Sequence, residues 1–113
     1  MKVKKVKDVA AQEVGPGATL RWVISAQDGA ENFFMRVVEV EAGGQGPPSH
    51  SHPYEHEIFI LEGRGKVIGD GEERPFETGD VIFIPPDEPH HIEPEGRLRF
   101  ICLVPASEAL QLP

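Results

Sequence analysis

The stretch from Gly44 to Gly63 reads GQGPPSHSHPYEHEIFILEG and sets three histidines before an apolar run. They are His50, His52 and His56, at relative positions i, i+2 and i+6. In an extended chain, residues two apart point to the same face, so the first two imidazoles project together. Pro53 interrupts this first strand, and the chain is predicted to enter a new strand at His56.

The new strand carries Ile58 and Ile60 on the same face as His56. A histidine followed by isoleucines on one face is the arrangement that a polar site above an apolar barrel interior requires. A fourth histidine, either His90 or His91, follows a proline-rich turn. Since neighbours on a strand point to opposite faces, only one of these two can join the cluster, and the other is predicted to face outward.

Neutral imidazole binds Mn, Fe, Co, Ni, Cu and Zn well, and Mg or Ca poorly. Four neutral ligands leave the full charge of a divalent ion in place, so that the ion attracts an enolate oxygen or acidifies a bound water. The alternative, surface-loop histidines with no common role, suits a lone histidine but not this spacing. The pattern therefore predicts one divalent transition metal.

Short strand signals extend outward from this stretch, and no segment shows a sustained helical period. The predicted strands span residues 19–25, 32–41, 56–62, 65–69, 72–76, 81–84 and 98–104, with a two-residue turn at Asp70-Gly71. Residues 57–61 and 81–84 are apolar on both faces, so one face must be covered by a second sheet or a partner subunit. We therefore expect an all-β, jelly-roll barrel and a homodimer.

The chain has 113 residues and is expected to form a single domain over 1–113. Acidic residues outnumber basic ones 19 to 11 and the net charge is −8, which argues against a nucleic-acid partner. With one cysteine, Cys102, no intramolecular disulfide is possible, as suits a reducing compartment. Neither a secretory signal nor an apolar run of the ~20 residues that span a bilayer is present, so a cytoplasmic location without membrane contact is expected.

The histidine pattern resembles the first motif of the cupin family, and the chain is similar to small single-domain cupins. That motif runs glycine, five residues, His-x-His, three or four residues, a ligand, six residues, glycine. The matching positions are Gly44, His50, His52, His56 and Gly63. The resemblance implies a double-stranded β-helix, which is the jelly-roll barrel of cupins.

The second cupin motif falls between residues 79 and 94, where Gly79, Pro85 and His90 are in register. The resemblance thus selects His90 over His91 and implies a ligand set of His50, His52, His56 and His90.

The chain departs from the cupin pattern at three positions. His56 stands where glutamate is usual, with Glu57 next to it as an alternative ligand that the spacing to the following glycine disfavours. Asp87 replaces a glycine and Pro94 an asparagine, which affects a turn and a hydrogen bond rather than the ligands.

The chain also looks like a subgroup of four-histidine cupins that are manganese-containing and quercetinase-like. This implies manganese as the favoured ion, with Fe, Ni, Cu or Zn as alternatives, and a dioxygenase-type oxidoreductase acting on a chelating small molecule. Two further functions stay open: a metal-dependent isomerase or lyase of a sugar or keto acid, and a non-enzymatic small-molecule-binding module. No catalytic residue is assigned from the sequence.

Three further residues are candidates for the pocket. Phe100 and Cys102 share one face of the last strand and are expected to line the barrel near the ion. Cys102 is a weak ligand, a redox partner or, as we favour, a small buried residue. Arg36 is either a pocket residue that pairs with a substrate carboxylate or an exposed residue at a subunit edge. Trp22 and Tyr54 either wall the pocket or pack at an interface.

Overall fold

Antiparallel β-strands make up most of the protein in the computed structural model, which describes residues 1–46 and 49–106. They are β1 (Gln12–Gly15), β2 (Ala18–Ile24), β3 (Phe33–Val40), β4 (His56–Ile68), β5 (Glu73–Glu77), β6 (Val81–Ile84) and β7 (His91–Pro105). Two single turns of 3-10 helix, Val6–Asp8 and Ala26–Asp28, complete the described elements. No helix in this part of the chain is long and apolar enough to cross a membrane.

The strands follow the order β1-β2-β3-β7-β4-β5, and β6 pairs with β4. The two longest strands, β4 and β7, run through both layers of the barrel. The first part of β4 pairs with β6 and its second part with β5, while β7 runs beside β4 over its length and beside β3 in its second half. This confirms the prediction of an all-β jelly-roll barrel.

A bend in β4 carries it from one layer to the other. The ladder to β7 shifts register between Ile60 and Glu62 and again between Glu62 and Arg64. Gly63 lies inside this bend with φ 106°, and a Cβ there would collide with the carbonyl oxygen of Arg97. The sequence predicted two strands here, but the structure has one, because a glycine bulge bends the strand without ending it.

The strand β7 is also longer than predicted, since it begins at His91 rather than at residue 98. Its first half contains Pro94 and Gly96, which are poor strand signals. Pro94 nevertheless lies opposite Gly65 in the ladder to β4. The β1 strand, four residues long, was not predicted.

Alternate residues of the central strands fill the interior. The inward-facing core residues of β3, β4 and β7 are Phe34, Val38, Val40, Ile58, Ile60, Leu98, Phe100, Cys102 and Val104. On the outside, Phe59, Val81 and Phe83 are 45%, 73% and 60% exposed. The outward-facing apolar residues of β4 and β6 are therefore not covered by any other described part of the chain.

Candidate metal centre

Four histidine side chains converge beside the barrel core. Each offers one ring nitrogen, and these nitrogens all lie within 4.8 Å of one another. The four are His50, His52, His56 and His90. His56 and His90 are buried, His52 is half-buried and His50 is exposed. The structure thus brings together all four residues that the motifs pointed to.

Backbone hydrogen bonds hold the two histidine motifs against each other. The amide of His90 donates to the carbonyl of His50 at 2.9 Å, and the amide of His50 donates back at 3.2 Å. The amide of Asp87 donates to the carbonyl of His52 at 2.7 Å. Asp87 has φ 66°, a left-handed conformation that aspartate tolerates better than most residues. This explains why a cupin glycine can be replaced here without loss of the turn.

Two of the rings are oriented by backbone carbonyls. Nδ1 of His52 donates to the carbonyl of Tyr54, and Nδ1 of His90 donates to the carbonyl of Glu88, both at 2.9 Å. Because a carbonyl only accepts, each Nδ1 carries the hydrogen and each Nε2 presents a lone pair. The Tyr54 ring also stacks on the His52 ring, with centroids 3.8 Å apart and planes 6° from parallel.

The His56 ring has a different environment. Its Nε2 lies 2.7 Å from Nε2 of His52, inside the cluster. Its Nδ1 faces away from the cluster and lies 3.2 Å from Nη2 of Arg36 and 3.2 Å from Sγ of Cys102. The same Arg36 nitrogen donates to the sulfur at 3.0 Å.

Burial keeps the imidazoles of His52, His56 and His90 neutral. It is the main cause that lowers the pKa of His56 to about 3, and the nearby charge of Arg36 adds to the effect. Burial also lowers the pKa values of His52 and His90. Burial raises the pKa of the Cys102 thiol. Neutral imidazoles with free lone pairs are the form in which histidine binds a metal ion.

The donor set fits a divalent transition metal. Two ligands held about 2.1 Å from an ion lie about 3 Å apart at a right angle and about 4.2 Å apart when opposite. The 2.7 Å contact between His52 and His56 and the 4.8 Å limit for the group bracket those separations. Glu57, the alternative ligand, is exposed and lies outside the group.

A cavity of about 130 Å³ opens from the cluster into the barrel. Most of its walls are apolar: Val14, Leu20, Val38, Val40, Ile58, Ile84, Ile92 and Phe100. Arg36 is the one formally charged residue at neutral pH among the described lining residues, which include no carboxylate. The guanidinium carbon of Arg36 lies 5.3 Å from the centre of the Trp22 ring, a cation–π contact that stabilises the position of the guanidinium.

The pocket candidates Arg36, Phe100 and Cys102 all line this cavity. Arg36 is therefore an interior residue, and the alternative of an exposed edge position is wrong. His91 is half-buried and is among the residues that line the cavity, but it lies outside the group of four. That its ring faces outward stays a prediction. Tyr54 packs against the His52 ring, a contact that depends on the turn between them and that no sequence signal indicated.

Comparison with known proteins agrees with this geometry. A family model described as Cupin domain matches residues 36–104. The polyketide cyclase RemF from Streptomyces resistomycificus is 33% identical, with 94% of this chain and 80% of that one covered and a TM-score of 0.82. A protein described as a predicted oxalate decarboxylase from Thermotoga maritima is 23% identical, with 93% and 99% covered and a TM-score of 0.78, which shows the fold alone.

One curated relative matches about half of the chain. An uncharacterized protein from Methanocaldococcus jannaschii is 45% identical over 56 residues, which span 47% of this chain and 45% of that protein. The chain thus matches a little less than half the length of this relative.

Proposed function

We propose, from the premise that this chain belongs to the Cupin domain family, that it is a metal-dependent enzyme acting on a small enolisable dicarbonyl or phenolic compound. The observation that carries the proposal is the cluster of four imidazoles beside an apolar cavity. A divalent ion bound there supplies Lewis-acid chemistry at a carbonyl or enolate oxygen.

The side chains of the site favour a substrate that ionises easily. The imidazoles hold the ion without reducing its charge, and Arg36 adds a second positive charge at the cavity wall. A described lining without Asp or Glu offers no carboxylate as a general base. A β-dicarbonyl or a phenol loses its proton readily near positive charge, so it suits this site better than a sugar does.

The size of the cavity limits the substrate. A cavity of about 150 Å³ lined by apolar side chains takes up benzene in another protein, and the cavity here measures about 130 Å³. The part of the substrate held inside the barrel is therefore one ring or a short chain. The apolar walls exclude water from the oxygen atoms that meet the ion.

We place oxygen-independent carbon–carbon chemistry first among the possible reactions. Support comes from RemF, a polyketide cyclase that is 33% identical over 94% of this chain, since polyketides carry the β-dicarbonyl groups that the site favours. This reaction belongs to the lyase and isomerase class that the sequence left open, but with a dicarbonyl in place of a sugar.

The second candidate is the dioxygenase-type oxidoreductase, in the manganese-containing, quercetinase-like subgroup. Its support is that the cavity reaches the cluster at His50, His56 and His90, so that a chelating substrate and O₂ would have access to an ion held there. Manganese is the ion we propose for it, with Fe, Ni, Cu or Zn as alternatives.

The location that we propose is the cytoplasm. Cys102 is a buried, free thiol, and free cysteines are common in reducing compartments.

Elemental analysis tests the metal site. We expect about one equivalent of a transition metal in the wild type and in His91→Ala, and little in His52→Ala, because loss of one of four ligands weakens binding strongly. His91→Ala is the matched control, since it removes a cavity histidine that is not in the cluster. Equal metal content in all three proteins would contradict the site, and so would the absence of metal after reconstitution with each ion.

Turnover in air and under nitrogen separates the two reactions. The reconstituted protein is incubated with a panel of 1,3-diketones and single-ring phenols, and products and dissolved oxygen are measured together. Equal turnover in both atmospheres supports the oxygen-independent reaction, whereas turnover that stops under nitrogen supports the dioxygenase. Metal-loaded protein that neither binds nor converts any member of the panel would contradict the proposed substrate class.

A further inference from the structure

The outer nitrogen of His56 lacks the partner that two other ligands share. His52 and His90 each donate Nδ1–H to a carbonyl two residues away along the chain. Nδ1 of His56 instead faces one donor and one sulfur, Nη2 of Arg36 and Sγ of Cys102, each at 3.2 Å.

The hydrogen positions of the metal-free cluster follow from these contacts. Since His52 carries its hydrogen on Nδ1, its Nε2 is an acceptor. The 2.7 Å contact between the two Nε2 atoms is therefore a hydrogen bond donated by His56. With its hydrogen on Nε2, His56 presents an acceptor at Nδ1, and Arg36 donates to it.

An ion on Nε2 requires the other tautomer of His56. The ring stays neutral only when the hydrogen is carried on Nδ1, and this hydrogen then points at the Arg36 guanidinium and the Cys102 sulfur. Arg36 has only donors, so the sulfur is the one acceptor within reach among the described contacts.

We infer that Cys102, fixed by Arg36, is a positioning residue of the metal site, whose sulfur accepts the Nδ1 hydrogen of His56 when Nε2 binds the ion. This inference rests on the metal site of the proposed function and not on its reaction. Arg36 serves the metal-free tautomer as a donor, and Cys102 serves the metal-bound tautomer as an acceptor. The pair thus stabilises His56 in both states.

The geometry of the barrel supports this role. Cys102 lies directly opposite Arg36 on β3 and Ile58 on β4, so that three neighbouring strands fix the sulfur beside His56. Cys102 is 4% exposed and His56 is 5% exposed, so bulk solvent has little access to either side chain. The thiol hydrogen can point to the carbonyl of Leu103, 4.0 Å from the sulfur, which leaves the sulfur lone pairs for Arg36 and His56.

Three variants test the inference through Zn²⁺ affinity, measured by competition with a chromophoric chelator. Cys102→Ala removes the acceptor, and we expect affinity to fall about tenfold to a hundredfold, as for other outer partners of metal ligands. Cys102→Ser restores an acceptor and should recover most of the loss. Val104→Ala is the control, since Val104 is buried on the same face of β7 but does not line the cavity.

The outcomes separate this inference from the proposed function. Wild-type affinity in Cys102→Ala overturns the inference, and so does a Cys102→Ser variant as weak as Cys102→Ala, because volume rather than hydrogen bonding would then explain the loss. A wild type that binds no Zn²⁺ overturns the proposed function itself.

Nitrogen NMR of the zinc-loaded wild type gives a second readout that needs no variant. We expect the His56 ring to carry its hydrogen on Nδ1. We also expect its Nε2 resonance to move when zinc binds. Metal binding through Nδ1 of His56 would overturn the inference.

Discussion

The imidazole of His56 and the guanidinium of Arg36 are both interior groups, with no carboxylate nearby among the described cavity residues. Nε of Arg36 is buried without a hydrogen-bond partner, which is costly in a low-dielectric interior. A protein that needed only stability would place an apolar residue here. The pair is therefore best explained by the site, where it keeps His56 neutral and the cavity positive.

The lowered pKa of His56 makes the metal-free protein sensitive to acid. The imidazole titrates near 6.5 in the unfolded chain but at about 3 in the folded one. Between these values the unfolded chain binds a proton that the folded chain does not, so stability falls as the pH drops from about 6.5 toward 3. The lowered pKa values of His52 and His90 act in the same direction.

Urea unfolding of the metal-free protein at pH 7.5 and at pH 5.0 measures this effect. We expect the free energy of unfolding to be lower at pH 5.0, with a slope of up to about 1.4 kcal/mol per pH unit from His56. His56→Gln should show a smaller difference between the two pH values. The same free energy at both pH values in the wild type would contradict the buried neutral state of His56.

At the scale of the element, the β4 bend decides where the cluster lies. The first half of β4 carries His56 beside β6, and the bulge at Gly63 turns the second half toward β5. The positive φ of Gly63 and the close approach of the Arg97 carbonyl both exclude a side chain there. The cupin glycine at this position is therefore a requirement of strand crossing rather than of metal binding.

Gly63→Ala should destabilise the protein by at least about 2 kcal/mol, because strain at positive φ and the clash with Arg97 add together. Gly71→Ala is the matched control, since Gly71 has φ 74° but a Cβ added there would meet no other atom within 4 Å. This variant should lower the free energy of unfolding by only about 1 kcal/mol. Chemical denaturation of both variants gives the comparison. Equal losses would show that close packing at Gly63 contributes nothing.

The sequence predicted those features whose signals are local. Histidine spacing indicated the cluster, and Asp70-Gly71 indicated the β4–β5 turn, since each depends on a few adjacent residues. The contact between Arg36 and Cys102 joins residues 66 positions apart and depends on the register between β3 and β7. No local sequence pattern contains that register. The first half of β7 was missed because its proline and its glycine mask a strand that pairing with β4 stabilises.

At the scale of the whole molecule, the outer face of β4 and β6 is apolar and exposed. Phe59, Val81 and Phe83 are all exposed large apolar residues, and they line one shallow depression with Ile101 and Leu103. Burial of apolar surface is worth about 25 cal/mol per Å². We therefore keep the homodimer as a prediction and assign this face to the interface.

Sedimentation at micromolar concentration tests the dimer. The wild type should sediment as a dimer, and the double variant Val81→Glu/Phe83→Glu should sediment as a monomer, because it buries charge at the contact. Gln12→Glu is the control, since it adds a charge on the exposed β1 strand. A monomeric wild type, or a double variant that stays dimeric, would exclude this face as the interface.

The backbone bridge between His50 and His90 has a consequence for the unfolded chain. An ion held by both residues cross-links two points about 40 positions apart, and a covalent link across a loop of that length removes chain entropy worth about 4 kcal/mol. An ion that stays bound to both residues would thus restrict the denatured ensemble as well as strengthen the native state. In a chain with one cysteine, such an ion would take the place of the cross-link that a disulfide provides in other proteins.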